Sequence, residues 1–163
     1  MECVYDAGSS QYRFEMQGGR LLLPFKGCPE FSLMSGTAQF NHASRRVNVP
    51  SCRLTTAAGG YLDIKGDWDG SSSSWTANMV VNGVPASSVL EDHWKKHVQG
   101  SVSGGIDLRG GRDGVTHVAG LARLQGGMLT GLPVLDRLAL FCGSSRFRNL
   151  PLHEACAQLT YQE

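Results

Sequence analysis

The stretch that decides the fold is Leu62-Asp63-Ile64-Lys65-Gly66-Asp67-Trp68-Asp69-Gly70. Its apolar and polar residues alternate, which is typical of a β-strand with one buried face. The closing Asp-Gly pair is typical of a hairpin turn. Alternation then resumes in a second strand at Trp75, Ala77, Met79 and Val81. The stretch therefore predicts an antiparallel hairpin whose apolar residues share one face.

The same pattern returns later in the chain, in Ile106-Asp107-Leu108-Arg109-Gly110-Gly111-Arg112-Asp113-Gly114. Both copies read apolar, Asp, apolar, basic, Gly, two variable residues, Asp and Gly. Each copy leads into a strand, then a Gly-apolar-Pro triplet (83–85 and 131–133), then a predicted helix. Since such a unit cannot bury its own apolar face, we expect the two units, about 60–98 and 105–145, to stack. Chance similarity between Gly-rich hairpins is the alternative.

Alternation marks much of the remaining chain as strand. A slip in its parity near Gly36 predicts a β-bulge there. Glycine pairs and Asp-Gly pairs predict the turns. The further predicted strand segments are 11–17, 21–25, 31–40, 46–49, 102–108 and 118–124. The further predicted turns are Gly18-Gly19, Gly110-Gly111, Asp113-Gly114 and Gly126-Gly127.

Two segments read as helices. Ser88-Val89-Leu90-Glu91 fits a capping box, with Leu90, Trp94 and either His97 or Val98 on one stripe. Pro133 to Cys142 has Pro at the first helical position and Gly143 at the stop. The predicted class is mainly β with two short helices, as a curved antiparallel repeat sheet of tandem hairpin-helix units that forms an open half-barrel or groove. We expect residues 1–163 to be one domain and a fragment of a longer protein.

Composition excludes several functional classes. Fifteen Lys and Arg against 14 Asp and Glu leave a formal charge of +1, which disfavours nucleic-acid binding by bulk electrostatics. A hydrophobic fraction of 41% is too high for a disordered chain. The first residues lack the basic and apolar regions of a secretory signal. No run of 18 apolar residues predicts a membrane-spanning helix.

Candidate catalytic and metal-binding residues are few. His93 and His97 have a spacing that can hold a metal on a helix, but a zinc hydrolase would carry Glu at position 94, which is Trp. Cys142 with His153 could form a nucleophile and base pair, without any supporting local motif. The glycine-rich stretches lack phosphate-binding spacing, and the Asp-Gly turns lack the acidic run of a calcium loop. The sequence therefore predicts no enzyme, no metal and no cofactor.

Five cysteines, at positions 3, 28, 52, 142 and 156, form no C-x-x-C motif. Apolar core thiols are the simplest interpretation. One or two disulfides remain an alternative in an oxidising compartment.

The C-terminal half resembles the C-terminal region of AsmA-like envelope proteins of Gram-negative bacteria. The resemblance rests on residues 120–141 (GLARLQGGMLTGLPVLDRLALF), 145–155 (SRFRNLPLHEA) and 98–104 (VQGSVSG). It implies a periplasmic protein that is anchored in the inner membrane through a segment outside this chain. It further implies a long curved sheet whose apolar concave face shelters lipid acyl chains, phospholipid among them, between the inner and outer membranes. Neighbouring β repeats of the parent protein are implied partners.

These observations combine into a hypothesis of a non-enzymatic lipid-handling protein. A curved sheet that does not close leaves apolar surface that acyl chains can cover. Packing of the same residues under the two helices, as a closed core, is the alternative interpretation. A structural or protein-interaction β module of the envelope, without lipid binding, is the alternative function. The candidate groove residues are Leu62, Ile64, Trp68, Trp75, Met79, Val102, Ile106, Leu108, Val118, Ala122 and Leu124.

Overall fold

The computed structural model describes residues 1–21, 31–90 and 92–162. Strands dominate these ranges, as the alternating sequence predicts. Residues 22–25 of the predicted segment 21–25, and Cys28, lie outside the described residues. The ten strands are β1 Glu2–Asp6, β2 Gln11–Gln17, β3 Arg20–Leu21, β4 Phe31–Asn41, β5 Arg46–Thr56, β6 Tyr61–Asp69, β7 Ser74–Pro85, β8 Val98–Gly111, β9 Gly114–Thr130 and β10 Asn149–Gln162.

The strands form one antiparallel sheet in the order β1-β2-β4-β5-β6-β7-β8-β9-β10, and the short β3 also pairs with β4. Apart from β3, each described strand lies beside its sequence neighbours, which is the arrangement that hairpin connections produce. In the described ranges β1 pairs only with β2, and β10 pairs only with β9. The sheet is curved and unclosed, so the predicted fold class is confirmed.

The two ends of the sheet differ. Turns at residues 7–10, 42–45, 70–73 and 112–113 lie at one end, which we call the turn end. The first three finish in a residue with positive φ: Ser10, Arg45 and Ser73. The connections after β7 and β9 lie at the opposite end and carry the helices, so we call it the helical end. Both hairpins of the repeat, β6–β7 and β8–β9, therefore lead into a helix at the same end.

The helices are α1 Ala86–Val89, α2 Asp92–Lys95 and α3 Pro133–Phe141, with a 3₁₀ helix over Ser145–Arg148. The predicted capping-box helix is wrong. α1 already begins after Pro85 without a side-chain cap, and Leu90 has extended backbone angles that separate α1 from α2. Val84 and Ala86 are buried, and α1 packs on β7 and β8. Tertiary packing at Ala86 thus sets the helix start, overriding the local cap signal.

The second helix prediction is confirmed. Pro133 stands at the first position of α3, and Gly143 follows its C-terminal cap with φ +63°. The amide of Ser144 donates to the carbonyl of Ala139 and that of Gly143 to the carbonyl of Leu140. This pair of bonds is a Schellman motif, which satisfies carbonyls at the helix end.

Bulges interrupt two strand pairs where glycine patterns occur. The register between β4 and β5 shifts on both sides of Gly36, between Leu33 and Ser35 and between Thr37 and Gln39, which confirms the predicted bulge. The predicted turn at Gly126-Gly127 is wrong, because β9 runs through it to Thr130. Gly126 has positive φ and faces a register shift beside Gly100, so this pair serves as a bulge within a long strand.

The buried core is small. Phe31, Leu54 and Leu62 form it, on three neighbouring strands, with Cys52 and Ile64 packed beside them. Leu54 is completely buried. Thr56 is also buried at this end of β5, where its hydroxyl donates to the carbonyl of Gly59. The core thus occupies only part of one sheet face, near the helical end.

Candidate functional site

The strand register gathers the apolar residues of the sheet on one side, which we call the apolar face. Ile64 pairs with Met79, Met79 with Ile106, and Ile106 with Gly120. Because partners in an antiparallel ladder point to the same side, each such row crosses several strands without changing face. A second row, toward the turn end, joins Gly66, Ala77, Leu108, Val118 and Tyr161.

All eleven predicted groove residues lie on this apolar face. They differ in how far they are covered. Leu62 is buried in the core, whereas Trp68 is 42% exposed. The other nine are half-buried: Ile64, Trp75, Met79, Val102, Ile106, Leu108, Val118, Ala122 and Leu124. The face therefore contains both a closed core and a part that solvent reaches.

A mainly aromatic row crosses the turn end of the apolar face, and the predicted set contained only Trp68 and Trp75 of its members. Direct register partners link Tyr5 to Tyr12, Tyr12 to Phe40, Phe40 to Val47, Val47 to Trp68, and Trp68 to Trp75. The ring centroids of Tyr5 and Tyr12 are 4.6 Å apart, and those of Tyr12 and Phe40 are 6.2 Å apart. The alternation of residues 11–17 already places Tyr12 and Phe14 on one face, but only the register shows that they continue the face of the repeat.

Close backbone contacts at two glycines show which way the sheet bends. Gly104 and Gly120 point to the apolar face. A Cβ at Gly104 would overlap the carbonyl oxygen of Leu121, and one at Gly120 would lie 2.6 Å from the carbonyl oxygen of Gly105. Gly105 points to the opposite face, where the nearest atom to an added Cβ is 4.0 Å away. Backbone of the neighbouring strand is therefore close to these two glycines on the apolar face, whereas Gly105 has open space on the opposite face. From this contrast we infer that the sheet between β8 and β9 is concave on the apolar side.

The helices leave the centre of the apolar face uncovered by close packing. α1 contacts β7 and β8 near Val84, and α3 makes its main contact with the 3₁₀ helix. The residues between these contacts and the turn end, such as Met79, Ile106 and Leu108, stay half-buried. These half-buried aliphatic side chains leave apolar surface that another apolar group can cover.

The opposite side, the polar face, carries a ladder of paired charged and amide side chains. Arg53 contacts both carboxylate oxygens of Asp63, at 2.7 and 2.6 Å, and Arg46 contacts Asp69. The hydrogen bond from Arg53 lowers the pKa of Asp63. Asn48 donates to Asp67 and Asn78 to Asp107 in the same manner, each across a strand pair. This face is therefore a solvated surface whose groups satisfy one another.

Two open cavities, of about 450 Å³ and about 600 Å³, are lined mainly by side chains of the polar face. The first contains Arg46, Asp67 and Asp69, and the second Asp67, Asp107 and His117. In the described ranges no buried side-chain nitrogen or oxygen lacks a hydrogen-bond partner. Since several of these lining groups already pair with one another in water, the apolar face remains the better candidate site.

The alternative chemical sites do not assemble as a catalytic centre. α2 ends at Lys95, so His97 lies beyond it and the i, i+4 helical spacing from His93 is not formed. His97 instead lies 2.8 Å through Nδ1 from the carbonyl oxygen of Thr130. Cys142 and His153 are both exposed, with no side-chain hydrogen bond in the described parts. Across the same ranges no group of three His, Cys, Asp or Glu residues could hold a metal ion.

Within the part of the chain that the structure describes, every helix is too short or too polar to cross a bilayer. Comparison with protein-family models, with curated proteins and with solved structures found no match to this chain. The geometry of the apolar face is therefore the basis for any statement about function.

Proposed function

We propose that the concave apolar face binds lipid acyl chains, so that this chain is a non-enzymatic lipid-handling part of a longer protein. The observation that supports the proposal is the continuous row of half-buried aliphatic residues on the side toward which the sheet bends. Burial of each methylene contributes about 0.8 kcal/mol. Hydrocarbon can therefore be held by contact area alone, without a charged or catalytic group.

The face is more than long enough for one acyl chain. From Trp75 to Val84 the strand β7 extends roughly 30 Å at the usual rise per residue. That length is comparable to the hydrocarbon core of a bilayer, which two acyl chains span end to end. A single chain could lie along β7 between the aromatic row and the covered core.

The aromatic row gives the two ends of the groove different characters. Tyr and Trp combine apolar rings with a polar group, and they are enriched where hydrocarbon meets water. Tyr5, Tyr12, Trp68 and Trp75 stand at the turn end of the apolar face, and the charged pair of Arg46 and Asp69 lies at the same end on the polar face. We place the lipid headgroup at this rim and the acyl tail toward Leu62.

The resemblance to AsmA-like proteins supports a location between two membranes. In that setting an anchor outside this chain would hold the protein at the inner membrane, and neighbouring repeats would lengthen the groove. Phospholipid is the expected guest, because the resemblance implies transfer of acyl lipid between the inner and outer membranes.

The test is lipid capture by the purified chain. We expect organic extraction and native mass spectrometry to recover bound phospholipid. The variant Met79→Gln, which changes the polarity of a groove residue with little change in shape, should reduce occupancy several-fold. The adjacent Val80 points to the polar face and is 43% exposed, so Val80→Gln is the matched control and should keep full occupancy. A wild-type chain that captures neither phospholipid nor a fluorescent fatty acid would sink the proposal.

A second candidate function, sheet extension by an edge strand, is favoured by β10. Its last eight residues, Ala155 to Gln162, carry no charge and no proline, and they are mostly exposed. Natural edge strands usually carry charges that prevent pairing, so this edge is suited to a further strand. The discriminating measurement is self-association by light scattering. Edge pairing predicts oligomers that Thr160→Lys disrupts while lipid occupancy stays unchanged.

A further inference from the structure

Helix α3 carries more apolar surface than its packing uses. Leu135 and Ala139, one turn apart, are its buried residues. A second stripe, formed by Val134, Leu138 and Phe141, faces solvent, and Phe141 is 91% exposed. Leu140 beside this stripe is 76% exposed. A nine-residue helix needs only one buried stripe to pack, so the exposed apolar residues are surplus to folding.

The structure holds this helix firmly rather than leaving it loose. The Schellman motif closes its C-terminal end, and the helix packs on the following 3₁₀ helix. Arg148 of that 3₁₀ helix lies 3.7 Å from the Asp136 carboxylate. The exposed stripe is therefore held in a fixed position, as a surface that docks on a flat partner requires.

The charges around α3 indicate what that partner is. Arg137 lies on α3, and Arg146 and Arg148 lie on the 3₁₀ helix that follows; all three are exposed. Asp136, which pairs with Arg148, is the one acidic residue between Pro133 and Arg148. α2 lies at the same end of the molecule as α3. Lys96, the residue after α2, accepts a hydrogen bond through its carbonyl from the hydroxyl of Thr130, which ends the strand before α3. A short apolar helix face accompanied by exposed basic side chains is typical of segments that lie in the interface of a bilayer with anionic headgroups.

We propose that the helical end docks on an anionic lipid bilayer, with Leu140 and Phe141 inserted among the headgroups and Arg137 and Arg146 contacting phosphates. Trp94, which is exposed on α2 at the same end, adds an interfacial aromatic side chain. Docking would place the closed end of the apolar face next to the membrane. It goes beyond acyl-chain binding, since a protein with an empty groove would still dock.

The test is sedimentation of the full chain with vesicles of phosphatidylcholine, with and without one-third phosphatidylglycerol. We expect binding that is stronger on the anionic vesicles and weakened by high salt. The double variant Leu140→Ser, Phe141→Ser removes exposed side chains only, so the fold should remain and binding should fall about tenfold or more. Val80→Ser with Leu121→Ser, two exposed apolar residues of the polar face, is the matched control and should bind like the wild type.

The charge contribution is measured separately. Arg137→Gln with Arg146→Gln should weaken binding to anionic vesicles and leave binding to pure phosphatidylcholine unchanged. Wild-type protein that stays in solution with both vesicle types would overturn the proposal, as would an unchanged affinity of the double serine variant. A dimer that the double serine variant converts to a monomer, without vesicle binding, would assign the stripe to a second copy instead. Met79→Gln should keep vesicle binding, which separates this result from the lipid-capture test.

Discussion

The indole of Trp75 lies directly against Gly110 of the neighbouring strand. The two residues are register partners between β7 and β8, and a Cβ at Gly110 would overlap Cε2 and Cζ2 of the ring. The ring therefore lies flat on the apolar face at its turn end, instead of standing upright from the sheet. Glycine at this position is what allows the aromatic row to border the groove without blocking it.

Gly110→Ala tests this contact. The added methyl group would overlap both the Trp75 ring and the carbonyl oxygen of Gly114, which should lower the free energy of unfolding by about 1–3 kcal/mol. Gly111→Ala is the matched control, because Gly111 points to the other face and its Cβ would lie 4.0 Å from the nearest atom. The control should change stability by less than about 0.5 kcal/mol in urea denaturation. Equal effects of the two substitutions would show that the ring does not lie on Gly110.

Gly104 and Gly105 offer an internal comparison for the bend of the sheet. Gly104→Ala forces a methyl group toward the Leu121 carbonyl, so it should destabilise the fold by about 1–3 kcal/mol. Gly105→Ala should be neutral or slightly stabilising, because it only removes the flexibility of glycine in a strand. Urea denaturation of the two variants measures the free energy of unfolding of each. If Gly105→Ala were the more damaging change, the sheet would bend toward its polar face.

Asp69 should titrate far below an ordinary aspartate. Hydrogen bonds from the Ser71 hydroxyl and amide, together with Arg46, lower the pKa of Asp69 to about 2. A lowered folded-state pKa stabilises the fold above the unfolded value of about 3.9, and this stability is lost as pH falls toward 2. Carbon-detected NMR titration of the Asp69 carboxyl group measures the pKa directly. Ser71→Ala should raise it, and a wild-type value near 3.9 would contradict the hydrogen-bond geometry.

Cys52 should be the slow thiol of the described cysteines. Burial raises the pKa of Cys52, and the nearby Asp63 carboxylate raises it further. Because the thiolate is the species that reacts, alkylation by iodoacetamide at pH 8 should be roughly tenfold slower at Cys52 than at the exposed Cys3. Asp63→Asn should recover only a small part of the rate, since burial is the larger cause. Peptide mass spectrometry resolves the two sites, and equal rates would exclude the half-buried position of Cys52.

The success of the strand predictions and the failure of one helix prediction have a common cause. Alternation in residues 62–69 survives any choice of partner strand, because side-chain direction follows from the extended backbone itself. The capping-box signal at Ser88 to Glu91 was local, and the burial of Ala86 against β8 determined the helix start instead. At α3, by contrast, Pro133 fixes its own φ and Gly143 readily adopts the positive φ that ends a helix, so the helix bounds were predictable.

The candidate site was partly visible in the sequence. The strand register places the eleven candidate groove residues on one side of the sheet, and their parity within each strand, which is a local property, indicates the same side. The continuation of that face through Tyr12 and Phe40 was not predicted, because it depends on the register of β2, β4 and β5, which no local pattern gives. The sequence also did not predict that Leu62 is buried while Trp68 is exposed, since both residues have the same parity on β6.

The sequence alone thus determined which residues of each strand share a side, where the turns between repeated hairpins fall, and where α3 begins and ends. These features follow from backbone geometry within a few residues. Tertiary structure decided the order of side chains across the sheet, its bend at Gly104, and the exposure of Phe141 at the helical end. Those depend on how distant segments approach one another, and the free energy of such contacts is not encoded in any single stretch of chain.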